Sequence, residues 1–564
     1  MKTQQPGYQH FTDRRWFIRL MEIVPGMASW SLLIGPIVLS LFYPIAVAYF
    51  IIAFDLYWLG KALRMSTFLL RGYGRMRATM ALNWTNRVDW LIAPKDHLKR
   101  AEQRMRELQK AHPTAHRRFQ LSRKGRNAHL RYRQLAGDIN LLRDFEDRHN
   151  SILNPRDVYH LVIIATYNET REILEPTVQG VLDSHYPSDR IMLVIAYEER
   201  GGEEIAALSK DLVATYGADF AHAEAIKHPD NIPGELRGKG GNITFAGRKM
   251  AAEIEARGID PEHVVVTTLD ADNKPHKYYF AHLTYTYALD PNRIHKSYQP
   301  APLFLNNIWD APAPTRIVAT GNTFFQLMEM MRPHRLRNFS SHAQPLRALI
   351  ETDFWSVTSP VEDGHQFWRS YFTFNGDYAV VPLYIPIYQD AVMASNYPKT
   401  LVAQYKQLRR WAYGVSDFQY VIRNSIRNKQ ISLGSKIVQS WRLFEGHVSW
   451  ATGVLIITFV AWLPLFLNER FSQQELAHQL PIIASRVQTV AMLGLFVMVA
   501  ISLIMLPPRP KRYGRHRFLF MMLQWILLPV TGIFFHSFAA IDAQTRLMFG
   551  RYLGFYVTAK TRKS

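Results

Sequence analysis

Apolar and polar positions divide the chain into segments of different kinds. Residues 25–63 are mostly apolar, with a break at Phe42-Tyr43-Pro44, and at about 1.5 Å of rise per residue the run is too long for one bilayer crossing. The pattern predicts two helices joined by a tight turn. Farther on, short apolar runs at 161–167, 191–197 and 264–269 alternate with helix-like stretches near 171–183, 204–215 and 242–257. Such runs read as buried strands, and strand-helix-strand repetition builds an α/β sheet whose functional loops lie at the strand carboxyl ends. Two further apolar runs, 448–467 and 487–506, are expected spans. The stretch 518–541 is also apolar but contains Pro529.

Charge orients these segments. Arg14, Arg15 and Arg19 precede the first hairpin and Lys61, Arg64, Arg71, Arg75 and Arg77 follow it, so both ends are expected on the cytosolic side. The basic loop 507–517 belongs on that side too. One full crossing by 518–541 would put the basic tail outside, so a broken, partly embedded segment that returns to the cytosolic face is expected. Residues 95–150 are strongly basic with Leu and Met at helical spacing, which fits either a solvated helical linker or a platform on anionic headgroups. The N-terminus lacks a small-residue cleavage site and is expected to be retained.

The formal charge of +21 would suit nucleic acid, anionic lipid or a phosphate-bearing substrate. No RNA-binding signature or zinc-finger spacing is present, so nucleic acid is not an expected partner. Membrane lipids and a nucleotide diphosphate are. With no cysteine, disulfides and thiolate metal sites are excluded, and any metal must be held by oxygen or imidazole.

Candidate chemistry collects at the predicted strand ends. The first strand runs into Thr166, Tyr167, Asn168 and Glu169; the second exits at Glu198 and Glu199, a carboxylate pair able to bond a ribose or base or merely a solvated turn. Lys239-Gly240-Gly241-Asn242, after Gly238, places a cation and a flexible backbone where a helix begins, a geometry that lets a diphosphate approach helix amides. The third strand runs directly into Asp270-Ala271-Asp272, two carboxylates spaced to reach one Mg²⁺ or Mn²⁺, which binds through one or two carboxylates plus substrate phosphates. Glu362-Asp363 and Gln407-Leu408-Arg409-Arg410-Trp411 follow downstream. Arg410 can grip phosphate oxygens through its planar fork, and Trp411 offers either a flat face for a sugar ring or helix packing.

Taken in order, TYNE, KxGN, DxD, ED and QxxRW resemble the processive, GT-A-type membrane glycosyltransferases (glycosyltransferase family 2) that include cellulose, chitin and hyaluronan synthases. The resemblance covers about residues 155–425 and the flanking apolar segments. It implies a GT-A-like, Rossmann-related cytosolic domain inserted between transmembrane helices. It also implies donor binding by Thr166, Tyr167, Asn168, Glu169, Glu198, Lys239, Asn242 and Asp270, metal at Asp270 and Asp272, and catalysis by Asp363 as general base beside Glu362. Gln407, Arg410 and Trp411 would border the diphosphate and acceptor sugar. The family has aspartates where this chain has Glu198 and Glu199. Near the end, Phe555, Val557, Thr558 and Lys560 resemble the FxVTxK gating loop of bacterial cellulose synthase, the alternative being a frayed terminus. The later spans and cyclic-dinucleotide-binding domain of that enzyme are expected to be missing.

The expected division is a cytosolic N-terminus (1–24), a transmembrane hairpin (25–63), a basic helical linker (64–150), the catalytic domain (151–400), QxxRW interface helices (401–445), two transmembrane helices (446–506), a cytosolic loop with a broken membrane segment (507–545) and a gating-loop-like tail (546–564). The expected activity is inverting, metal-dependent transfer from a nucleotide sugar, read as a UDP-sugar, to a growing polysaccharide, processively and with an accessory export subunit as a candidate partner. The expected location is a bacterial inner membrane, multi-pass, with the catalytic domain cytosolic. Alternatives are single-sugar transfer to a polyprenyl phosphate or other lipid, and an inactive basic membrane scaffold.

Overall fold

The computed structural model describes residues 10–116, 122–148, 151–556 and 561–562. A mixed α/β core is flanked by long apolar helices from both ends of the chain. Its sheet contains β1 (Tyr159–Thr166), β2 (Ile191–Glu198), β3 (His222–His228), β4 (Val264–Asp270), β5 (Lys274–Pro275), β6 (Lys296–Leu303), β7 (Ala343–Pro345) and β8 (Ala379–Tyr388), in the order β3-β2-β1-β4-β7-β6-β8-β5. The strands β3, β2, β1 and β4 are parallel, β7 runs against β4, and β6 and β8 are parallel to each other. Helices cover both faces of the parallel part, which is why Leu161 to Ile164 and Ile191 to Ala196 are all buried and read as unbroken apolar runs.

Register fixes the site. Ala165 pairs with Asp270 across β1 and β4, and Thr166 pairs with Tyr197 across β1 and β2. The TYNE turn, the Glu198 exit and the DxD therefore leave the sheet at one level, along its carboxyl edge. The helix Lys239–Ala256 begins beside them. Its start is set by Gly238, at φ +151°, and by Gly240, where a Cβ would overlap the Ser356 carbonyl oxygen.

Four helical runs are long and apolar enough to cross a membrane: Arg15–Phe42, Pro44–Met80, Glu475–Ile504 and Arg517–Met548. The first two meet at Tyr43, where Pro44 occupies the first turn of the next helix. The fourth passes through a 3₁₀ turn at Gln524–Leu527 and a π turn at Gly532–Ser537. Both of its ends meet the α/β core side: Arg517 donates to the Trp309 carbonyl (3.1 Å), while Asp542 accepts from Arg409 (2.9 Å) and Tyr405 (3.2 Å). The helix Leu433–Phe459 runs beside Arg15–Phe42. The basic segment forms the helices Pro94–Ala111 and Arg123–Asp147, whose buried Ala101, Ile139, Leu142 and Phe145 pack near Ala288, the end of the sheet-covering helix Tyr279–Leu289.

Replacing Gly240 with Ala should force the helix start away from Ser356. A destabilisation of about 1–3 kcal/mol is expected, read as a lower thermal midpoint in detergent with the helix content unchanged.

Candidate active site

The ammonium of Lys239 is buried among carboxylates from two other elements. Its Nζ lies 3.0 Å from Asp270 Oδ1, 3.2 Å from Asp363 Oδ2 and 3.8 Å from Glu362 Oε1. Burial alone would lower its pKa, but Asp270, Asp363 and Glu362 together hold it well above the ordinary lysine value. Burial, reinforced by Asp363, pushes the Glu362 carboxyl up to about 7 against the pull of Lys239 and Arg410. One cation thus balances a cluster that would otherwise hold uncompensated charge in a dry place.

The carboxylates differ in access. Asp270 is partly open, and its Oδ2 accepts from the Ser340 hydroxyl at 2.6 Å. Asp272 is buried, and its Oδ2 accepts from the Asp390 backbone N–H at 2.8 Å. Both line one cavity, and the pair of hard oxygen donors suits a divalent cation that completes its shell with phosphate oxygens. A second trio that could hold a cation, His222, Glu224 and Glu253, lies away from this cavity on β3 and the adjoining helix, where Arg257 and Lys249 already bond it.

Two residues not singled out in the sequence complete the site. The chain turns at Ser341, at φ +68°, a left-handed conformation uncommon for serine. The Ser341 hydroxyl donates to Asn273 Oδ1 at 2.6 Å, and Asn273 Oδ1 also accepts from the Asp270 N–H. This turn directs Ser340 at Asp270 and brings His342 Nδ1 to 3.6 Å from Asp363 Oδ1. The Trp355 indole donates to His342 Nε2, which leaves the proton on Nδ1, shared with the Phe339 carbonyl. Burial keeps the imidazole below its usual pKa, with Asp363 opposing.

Other expected donor residues take structural bonds. The Glu169 carboxylate accepts from the Thr166 hydroxyl (2.7 Å) and from the Tyr167 (2.8 Å) and Asn168 (3.2 Å) N–H groups, closing the TYNE turn. Asn242 donates to the carbonyls of Ala196 and Thr166, tying the ends of β1 and β2 together. Glu198 is held by Arg200 Nε at 2.6 Å, and the Arg200 guanidinium lies 4.2 Å from the Tyr167 ring centroid. Glu198 lines both the main cavity and a polar pocket of about 230 Å³ formed with Arg200, His228 and Glu235. The buried Arg200 Nη2 has no partner among the described residues, a donor available to a bound polar group.

On the far wall, Arg410 donates to the Pro360 carbonyl at 3.1 Å and its Cζ lies 4.5 Å from the Phe555 ring centroid. Gln407 accepts from Gln404 at 3.2 Å, and Trp411 packs near Phe304 and Phe339. Phe555 also covers Gly238, where a Cβ would collide with its ring. The start of the tail therefore lies over the first turn of the Lys239 helix. Val557, Thr558 and Lys560 lie outside the described residues. Beyond them Arg562 forms two bonds to the buried Asp390, at 3.0 and 3.1 Å.

Lys239→Met should leave three carboxylates without their cation, at a cost of about 3–5 kcal/mol. Carboxyl groups whose folded pKa is raised contribute stability at low pH that is lost as pH rises through that value. Without the pull of Lys239 the Glu362 carboxyl titrates above the value of about 7 that it has beside the lysine, so the deficit, measured by chemical denaturation in detergent, should shrink as pH falls toward 7.

No protein-family profile matches the chain, and no curated protein does. Solved structures similar to it include the mannosyltransferase PcManGT from Pyrobaculum calidifontis in complex with GDP-Man and Mn²⁺, at 14% identity over 61% of this chain and 86% of that one, with a TM-score of 0.36. Residues 1–349 of S. aureus TarS in complex with UDP-GlcNAc align at 9% identity over 70% and 93% of the two chains, with a TM-score of 0.31. GalNAc-T7 with UDP, GalNAc and Mn²⁺ aligns at 11% identity over 52% and 54%, with a TM-score of 0.27.

Proposed function

We propose that the chain is a GT-A-type membrane glycosyltransferase that moves a sugar from a nucleotide diphosphate to a growing glycan, with inversion and with the catalytic core on the cytosolic face. One observation carries this reading. A single cavity of about 1490 Å³ is lined both by Lys239, Asp270, Asp272, Asp363 and Arg410 and by Trp58 and Trp525 of the membrane-length helices and Trp450 of the Leu433–Phe459 helix. A donor from the cytosol and an acceptor from the membrane side could meet in that space.

The chemistry is a single displacement. An acceptor hydroxyl attacks the anomeric carbon, the bond to the diphosphate breaks, and the hydroxyl proton passes to Asp363. His342 and Lys239 fix the Asp363 carboxylate. The first turn of the Lys239–Ala256 helix and Arg410 meet the charge that builds on the departing diphosphate. Mg²⁺ or Mn²⁺ held by Asp270 and Asp272 would supply further charge neutralisation for those phosphates. Phe555 closes the donor end against water.

The membrane end suits sugar rings. The indole N–H groups of Trp58 and Trp450 are buried without partners among the described residues, and both side chains line the cavity. A sugar offers hydroxyl acceptors to such donors and a flat apolar face to the rings. We place Arg517–Met548 along the cytosolic interface because both of its ends are bonded to the core side, which keeps the basic tail cytosolic.

Asp363→Asn should retain donor binding while turnover in proteoliposomes falls about 10²–10⁴-fold. Undiminished turnover would remove Asp363 from the mechanism. Asp272→Asn, or removal of divalent cations with a chelator, should abolish transfer and weaken donor binding together; full activity in chelator would refute the metal assignment. The same assay separates the acceptor readings, since a ladder of lengthening products marks processive growth and a single adduct marks one-sugar transfer.

A further inference from the structure

The cavity is also lined by a group of cations that the transfer chemistry does not use. Lys61, Arg332, Arg335, Arg337 and Arg442 all line its wall. The acidic side chains facing the same space are Glu329, Glu445 and Asp417, and each has a close partner. Glu329 pairs with Arg332, Glu445 with Lys61 at 2.9 Å and Asp417 with His365 at 2.7 Å.

Among the described residues Arg337 and Arg442 have no carboxylate partner, and Arg335 has only a long one. Arg335 reaches Glu445 at 4.0 Å, and among the described residues Arg442 donates only to the His334 carbonyl, at 2.9 Å. Arg337 forms no hydrogen bond or ion pair among the described residues; it rests against the rings of Trp368, 4.3 Å from the centroid, and Phe367. Burial drives the Arg337 guanidinium down to about 10, with Asp417 and Glu329 opposing the shift and Arg335 and Arg442 adding to it. Like charges are held together along one cavity wall, Arg337 deepest and Arg335 and Arg442 half-exposed. That arrangement is costly unless an anion joins them.

Position identifies the anion's source. Lys61 lies about 26 Å along its helix from Pro44 at 1.5 Å per residue, close to the thickness of a hydrocarbon layer. Leu433, Ile437 and Trp441, one helical turn apart and exposed, lead up to Arg442 and mark the same depth. The same cavity has an apolar lining from Met65, Ile457, Met492 and Leu495. Arg337 is three residues from Ser340, whose hydroxyl bonds Asp270, so at most about 10 Å of chain separates them.

We propose that Arg335, Arg337 and Arg442 bind the phosphate of a membrane lipid that carries the acceptor, with its hydrocarbon chain between the apolar helices and its sugar end toward Asp363. This rests on the transferase reading above and names its acceptor as a lipid-phosphate-linked glycan. A neutral glycan would leave Arg337 and Arg442 without an anionic partner, whereas a lipid phosphate satisfies them and the apolar wall together.

The test is retention of a polyisoprenyl phosphate, against the matching polyisoprenol, by the full-length protein in nanodiscs of net-neutral lipid, read by native mass spectrometry. The phosphate form should be retained about tenfold or more better than the alcohol, and Arg337→Gln and Arg442→Gln should each lower that preference about tenfold, the loss expected of a charge-assisted hydrogen bond. Nucleotide-sugar hydrolysis without acceptor should be unchanged in both variants, so that loss of donor chemistry in the unaltered protein would refute the transferase reading and leave the lipid result to stand separately. Equal retention of phosphate and alcohol, or an unaltered preference in the variants, would overturn the site. Displacement of the lipid by millimolar inorganic phosphate alone would show that the arginines serve a soluble anion and overturn the lipid assignment. Should Arg337→Gln fail to fold, Arg335→Gln and Arg442→Gln carry the same comparison from less confined positions.

Discussion

The buried ammonium of Lys239 is the interaction on which the rest of the site depends. It joins the start of the Lys239–Ala256 helix to Asp270 at the end of β4 and to Glu362 and Asp363 at the start of the helix Glu362–Thr373. No pair among these groups would be stable alone in so dry a place, since an unpaired buried charge costs several kcal/mol. Together they hold three elements at the wall of one cavity. Gly238 and Gly240 serve the same end by letting the helix approach Phe555 and the Ser356 carbonyl.

Of the parallel strands, β1, β2 and β4 were legible because each is covered on both faces and so appears as an apolar run, whereas β6 and β8 were not expected. The expected 161–167, 191–197 and 264–269 fall within one or two residues of β1, β2 and β4. β7 and β5 were not legible: three and two residues long, they are held by neighbours, and no local pattern marks them. β3 escaped notice because it is an edge strand that carries His222, Glu224 and Lys227.

Within the site, Asp270 could be picked out because the DxD follows directly on an apolar run, whereas Glu362 and Asp363 entered only through the order of the motifs. Glu169 and Asn242 line the cavity and also bond backbone groups of the turns that present the site, a second role that motif reading does not show. Ser340 and His342 depend on the left-handed turn at Ser341, which a polar run in sequence does not announce. The unpaired arginines were equally hidden. Arg337 and Arg442 are distant in sequence, and only packing of the Leu433–Phe459 helix against the core brings them to one cavity wall. The +21 charge thus acquires a location as well as a sign.

The measurement that bears most directly on the account is a structure of the protein in a lipid nanodisc with a non-hydrolysable nucleotide sugar and Mn²⁺. The account predicts the diphosphate between Asp270, Asp272, Arg410 and the first turn of the Lys239 helix, with the base beside Glu198 and Arg200 and the sugar facing Asp363. Nucleotide bound elsewhere, with the Lys239 cluster intact and empty, would contradict it.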